Sequence, residues 1–107
     1  MVGLFKKEYS ELSDIELHQL KLASESMCKY GYKVYCVDID KFTEHIEVGK
    51  KYLISLLPEY YSYNSDRYAQ GINFVGNHFN SKAEFSYMVC GFRKIYGCDM
   101  NMYIAER

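Results

Sequence analysis

The sequence predicts an α+β protein in which one long N-terminal helix packs on a four- to five-stranded, mostly antiparallel sheet. Three observations predict it. A capped amphipathic segment stands near the N-terminus, over residues 14 to 30. Short runs rich in β-branched and aromatic residues follow it, separated by Gly, Asn and Pro. The chain has 107 residues, enough for a single domain over 1–107 with a real core and too few for two. Such a sheet could curl into a small barrel. The alternative is a layered α/β unit with a second helix over residues 82–96.

Met1 to Tyr9 is a mixed segment that suits an edge strand or an ordered tail. Ser13-Asp14-Ile15-Glu16 fits a capping box, in which the Ser and Glu side chains each satisfy an orphan amide of the first turn. Leu17, Leu20, Ser24, Met27 and Cys28 then share one helical face, with Ile15 and Ala23 beside it, while Glu16, Lys21, Glu25 and Lys29 fall largely elsewhere. Gly31 is the expected stop. Tyr32 to Ile39 reads as a largely covered strand. Phe42, His45, Ile46, Tyr52, Leu53 and Leu56 can be fitted to a helix, but Gly49 in its middle costs about 1 kcal/mol relative to Ala. A turn at Val48-Gly49-Lys50 leading into a strand from Lys51 to Leu57 is preferred, and Pro58 ends it.

Gln70 to Phe79 reads as another strand. Over residues 83–96 two readings compete. Ser81-Lys82-Ala83-Glu84 is a second capping box, and Phe85, Met88, Val89, Phe92 and Ile95 form an apolar stripe stopped by Gly97. Gly91 disfavours that helix. Phe79-Asn80-Ser81-Lys82-Ala83 resembles a hairpin connection, so a strand over Glu84 to Cys90 is expected. Met100 to Ala105 closes the chain as a strand.

Net charge is −1, so no global field draws in nucleic acid or an anionic membrane. Residues 1–47 carry nine acidic side chains against six Lys, and residues 48–107 five acidic against seven basic. No run reaches the roughly 18 apolar residues of a membrane helix. No signal-peptide pattern opens the sequence, so a cytoplasmic protein with reduced thiols is expected. Cys28 and Cys36 stand eight apart, as do Cys90 and Cys98, and neither pair has zinc-ligand spacing. The four cysteines read as buried small hydrophobes, and no metal or cofactor is expected.

Aromatics are the outlier, with 12 Tyr, 6 Phe and no Trp. Tyr60, Tyr61, Tyr63 and Tyr68 fall close together between Pro58 and Gly71, with Asp66 and Arg67 among them. Tyr offers large contact area at low entropic cost, Asn and Ser adaptable hydrogen bonds, and Arg a polar anchor. Tyr60, Tyr61, Tyr63, Asp66, Arg67 and Tyr68 are therefore the candidate partner-binding residues. The expected function is a non-enzymatic interaction module, an inhibitor or adaptor of another protein, in the style of phage and mobile-element accessory proteins. A nucleic-acid-binding barrel is the second reading, with tyrosines stacking bases and Lys50, Lys51, Arg67, Lys82, Arg93 and Lys94 holding phosphates. The third is a Mg²⁺-dependent hydrolase, because Val34 to Asp40 is an apolar strand ending in Asp38-Ile39-Asp40, a nucleophile and acid pair of haloacid-dehalogenase style. His78 among amides reads as a wet turn, and no Ser or Cys nucleophile motif accompanies His18, His45 or His78.

Lys50-Lys51 through Leu57-Pro58-Glu59-Tyr60-Tyr61 is similar to the segment leading into the inhibitory loop of the barstar family of ribonuclease inhibitors. Phe92-Arg93-Lys94 through Gly97-Cys98-Asp99 to Ile104 resembles that family's last helix and strand. The resemblance covers about a quarter of the chain. The long N-terminal helix and the shorter middle depart from the family, and Asp66-Arg67-Tyr68 replaces its acidic helix. It implies an inhibitor that plugs its partner with Tyr60, Tyr61 and Asp66, and a helix at residues 83–96.

Overall fold

The computed structural model describes residues 4–60 and 72–107, and shows an open antiparallel sheet with helices on both faces. A 3-10 turn (Tyr9–Glu11) precedes α1 (Asp14–Cys28), β1 (Lys33–Val37), α2 (Ile39–Glu44), β2 (Lys51–Pro58), β3 (Val75–His78), α3 (Lys82–Tyr96) and β4 (Met100–Glu106). The strand order is β1-β4-β2-β3, and every neighbouring pair is antiparallel. The α+β class holds, and the sheet is not closed into a barrel.

α1 begins with the expected capping box. The Ser13 hydroxyl accepts from the Glu16 amide at 3.2 Å, and the Glu16 carboxylate accepts from the Ser13 amide at 3.0 Å. Its buried face differs from the predicted stripe. Glu16, Gln19, Leu20, Leu22 and Ala23 are buried, whereas Leu17 and Cys28 are exposed. Two polar side chains go inward because partners wait for them there, as described below.

Alternation along the strands makes two cores. Facing α1, Cys36, Leu57 and Tyr103 pack with Leu20, Leu22, Ala23 and Ile72. On the opposite face, Val37, Tyr52, Ile54, Met102 and Ile104 pack with Phe42 of α2 and Phe85 and Val89 of α3. Phe42 sits at the centre of the second core, its ring edge-on to Phe5, Tyr52 and Phe85 at centroid distances of 5.0, 5.0 and 5.1 Å.

Residues 82–96 form a helix, not the strand expected over Glu84 to Cys90. Burying Phe85 and Val89 contributes about 1.5–3 kcal/mol each, against about 1 kcal/mol for the helical Gly91. Gly97, with φ +68°, supplies the left-handed stop. The strand expected from Tyr32 to Ile39 ends at Val37, because Asp38 caps α2: its carboxylate accepts from the Lys41 amide at 3.1 Å. The strand expected over Gln70 to Phe79 is β3 alone among the described residues. The N-terminal segment does behave as an edge. Lys6 bridges Val37, the Lys7 amide donates to the Cys36 carbonyl and the Asp38 amide to the Phe5 carbonyl, both at 2.9 Å.

Candidate functional site

Antiparallel register gathers the end of β2, the start of β4 and the N-termini of α1 and α2 at one end of the sheet. The Tyr-rich segment leaves from this end. Gln19 of α1 is fully buried, and its Nε2 donates to the Pro58 carbonyl at 3.0 Å. Its Oε1 accepts from Asn101 Nδ2 at 3.0 Å and from the Tyr103 hydroxyl at 2.8 Å. One glutamine thus ties α1 to the last residue of β2 and to β4. The Glu59 amide donates to the Asp99 carbonyl at 3.1 Å, which fixes the next residue too.

Tyr60 therefore follows directly on a fixed stretch of backbone. It is 57% exposed, and its hydroxyl lies 3.5 Å from the Tyr96 carbonyl at the end of α3. Tyr96 is 41% exposed and stacks on Phe92, with centroids 6.3 Å apart and planes at 8°. Three rings make a rim, and Ile95 beside it is exposed rather than part of the helix core stripe. Tyr61, Tyr63, Asp66, Arg67 and Tyr68 lie outside the described residues. Of the six candidate residues the structure places Tyr60, and it adds Phe92 and Tyr96. The spacing of Phe92 and Tyr96, one helical turn apart, was the available signal.

Below the rim opens a cleft of about 420 Å³. Its lining includes five carboxylates (Glu16, Asp38, Asp40, Glu59 and Asp99) and two cations, Lys7 and Arg93. Both cations are engaged: Lys7 with Glu16 at 2.8 Å, Arg93 with Asp99 at 2.7 Å. Burial opposes the charge on Glu16, but the hydrogen bonds from Lys7 and from the Ser13 amide outweigh it and hold its carboxyl below the ordinary range. Burial likewise opposes the charge on Lys7, and Glu16 more than restores it, so the ammonium titrates above its ordinary value. Asp99 is lowered in the same way, by Arg93 and the Met100 amide acting against burial. Cys36 lies behind this pair, its Sγ 3.4 Å from a Glu16 oxygen. Burial first, and then the charge of Glu16, push its thiol up to about 12, so it stays a thiol. Asp38, Asp40 and Glu59 leave the mouth of the cleft negative.

The other candidates are dispersed. Asp38 and Asp40 share the cleft, but Asp38 is occupied as the cap of α2. Among the described residues no group of three or more His, Cys, Asp and Glu side chains is arranged to hold a metal ion. Cys36 is buried, but Cys28 and Cys90 are exposed and Cys98 is half-buried, so the expectation of four buried cysteines holds for one. His18 lies on α1, His45 caps the end of α2 with Nδ1 2.8 Å from the Lys41 carbonyl, and His78 ends β3. Lys50 and Lys51 stand at the opposite end of β2 from Arg93 and Asp99, so among the described residues these lysines and Arg93 do not gather in one place, and Arg67 lies outside the described residues. No helix among the described residues is long and apolar enough to cross a membrane. Compared with protein-family models, curated proteins and solved structures, the chain matches none.

Proposed function

We propose that this chain is a non-enzymatic interaction module, an inhibitor or adaptor, that docks a protein partner on the rim where its Tyr-rich segment begins. The observation that carries the reading is Tyr60: a large ring more than half exposed, on a backbone fixed by Gln19 at Pro58 and by Asp99 at Glu59. A large exposed ring on a rigid root has less entropy to lose on binding than one on a mobile loop. The contact surface would run from Tyr60, Phe92 and Tyr96 into Tyr61, Tyr63, Asp66, Arg67 and Tyr68. The negative mouth below the rim favours a partner that presents Lys or Arg there, since complementary charge speeds encounter and rejects wrong partners.

The test is affinity capture from the native host's lysate with wild type, Tyr60→Ala/Tyr61→Ala and Glu59→Lys, each first shown to be folded by circular dichroism. A protein retained by wild type after nuclease treatment, and weakened about 30-fold or more in the double variant, is the expected result for a hot-spot pair worth about 2 kcal/mol. Glu59→Lys is expected to slow association with the same protein. Equal retention by the double variant, or capture that nuclease abolishes, would refute the reading.

A further inference from the structure

We propose that a second groove, at the far end of the sheet, binds a phosphate attached to a flat ring, the unit shared by a free nucleotide and a single-stranded nucleic acid. The groove encloses about 370 Å³ where β1 and β2 begin and β4 ends. Its floor is bare sheet. α1 packs on Cys36, Leu57 and Tyr103, nearer the other end, and the half-buried Leu53 and buried Ala105, directly opposite each other in register, lie beneath the groove. The half-buried Tyr32 lines the same groove, and Tyr52 borders it from the core of the opposite face, where its ring is buried.

Its charge is the reverse of the acidic cleft. Lys50, Lys51 and Arg107 line it, and among the described residues none of the three has an ion-pair partner. Glu106 is the single carboxylate of the lining, and Lys6 is paired with it. The Arg107 guanidinium lies 4.9 Å from the centre of the Tyr32 ring, and Lys50 Nζ 5.3 Å from that of Tyr52. The Lys51 stem lies close over Gly76 of β3, where an added Cβ would make that flexible side chain shift. The acidic end stands about 20 Å away along β4, taking ~3.3 Å per residue. That exceeds the Debye length of about 8 Å at physiological salt, so its repulsion is screened at the groove. Ammonium and guanidinium groups match phosphate oxygens, and an apolar floor flanked by a phenol ring suits a base, whose stacking contributes about 1–3 kcal/mol.

The test is fluorescence anisotropy of the full chain with a short fluorescein-labelled oligothymidylate at rising salt, with AMP and unlabelled oligothymidylate as competitors. Binding is expected with a slope of log Kobs against log salt of about −1 to −2, from ~0.7 per phosphate neutralised on a single strand. Lys50→Ala/Lys51→Ala, at exposed positions, is expected to weaken it about tenfold or more with an unchanged circular dichroism spectrum. Tyr60→Ala, at the other end, is expected to leave it unchanged. Displacement by AMP assigns the groove to free nucleotides, and displacement by the unlabelled strand alone assigns it to single-stranded nucleic acid. No binding at low salt, or binding unmoved by Lys50→Ala/Lys51→Ala, would overturn the proposal.

Discussion

The carboxylate of Glu16 accepts from the Ser13 amide through Oε1 and from Lys7 through Oε2, with the Cys36 thiol beside it. One side chain therefore caps α1 and ties it to the edge segment along β1. The pH dependence follows from the two directions of shift. Glu16 is depressed in the fold, so its contribution is complete above the unfolded carboxylate value of about 4.3 and is lost as pH falls through the folded value. Lys7 is raised, so its contribution is complete below about 10.4 and is lost as pH rises through the folded value. Between those limits Glu16→Gln is expected to cost about 1–3 kcal/mol, the penalty for breaking a part-buried charged hydrogen bond. Urea unfolding of both proteins across pH checks this. The gap between them should narrow on acidification below about pH 4, and a constant gap would show that the pair is not coupled to folding.

At the scale of elements, α3 was the segment where local signals disagreed most. Ser81 accepts from the Glu84 amide at 3.2 Å, as the capping pattern required, and Glu84 reaches back to the Asn80 amide. Gly91 and the hairpin-like run from Phe79 to Ala83 argued otherwise, and an added Cβ at Gly91 meets nothing within 4 Å. Gly91→Ala is therefore expected to stabilise the protein by about 0.5–1 kcal/mol, through lower entropy of the unfolded chain and better helix propensity. Thermal unfolding followed by circular dichroism would show the rise in Tm, whereas a fall would mean that a neighbour needs the space. α2 shows the converse. Six residues are too few for a helix to be stable by itself, and it forms because Asp38 caps it and Phe42 anchors it in the aromatic core.

At the scale of the whole molecule, β4 is shared by both cores. Tyr103 is buried toward α1, while Met102 and Ile104 are buried toward α2 and α3. β4 pairs β1 on one side and β2 on the other. Truncating Ile104 should therefore weaken both halves at once. Ile104→Ala is expected to cost about 2–5 kcal/mol and to leave a single unfolding transition with far-UV dichroism and tyrosine fluorescence coincident. Two separated transitions would show that the faces melt independently. The same topology sorts charge, with an acidic cleft at one end of the strands and a basic groove at the other. A net charge of −1 hides that polarity.

The sequence by itself determined the local features: the capping box before α1, the Ser81 cap of α3, the stop at Pro58, the α+β class and the cluster of tyrosines after it. Each is decided by residues within a turn or two of one another, so spacing and propensity were enough. Tertiary structure alone decided the rest. Helix won over strand at residues 82–96 because a sheet face was there to bury Phe85 and Val89. Glu16 and Gln19 turned inward because Lys7, the Pro58 carbonyl and Tyr103 supply hydrogen bonds that no local pattern shows. Phe92 and Tyr96 joined Tyr60 in one rim, and Lys50 and Arg107 met in one groove, because antiparallel pairing closes distances that the chain leaves long. Burial free energy depends on which surfaces meet, and that is a property of the assembled sheet.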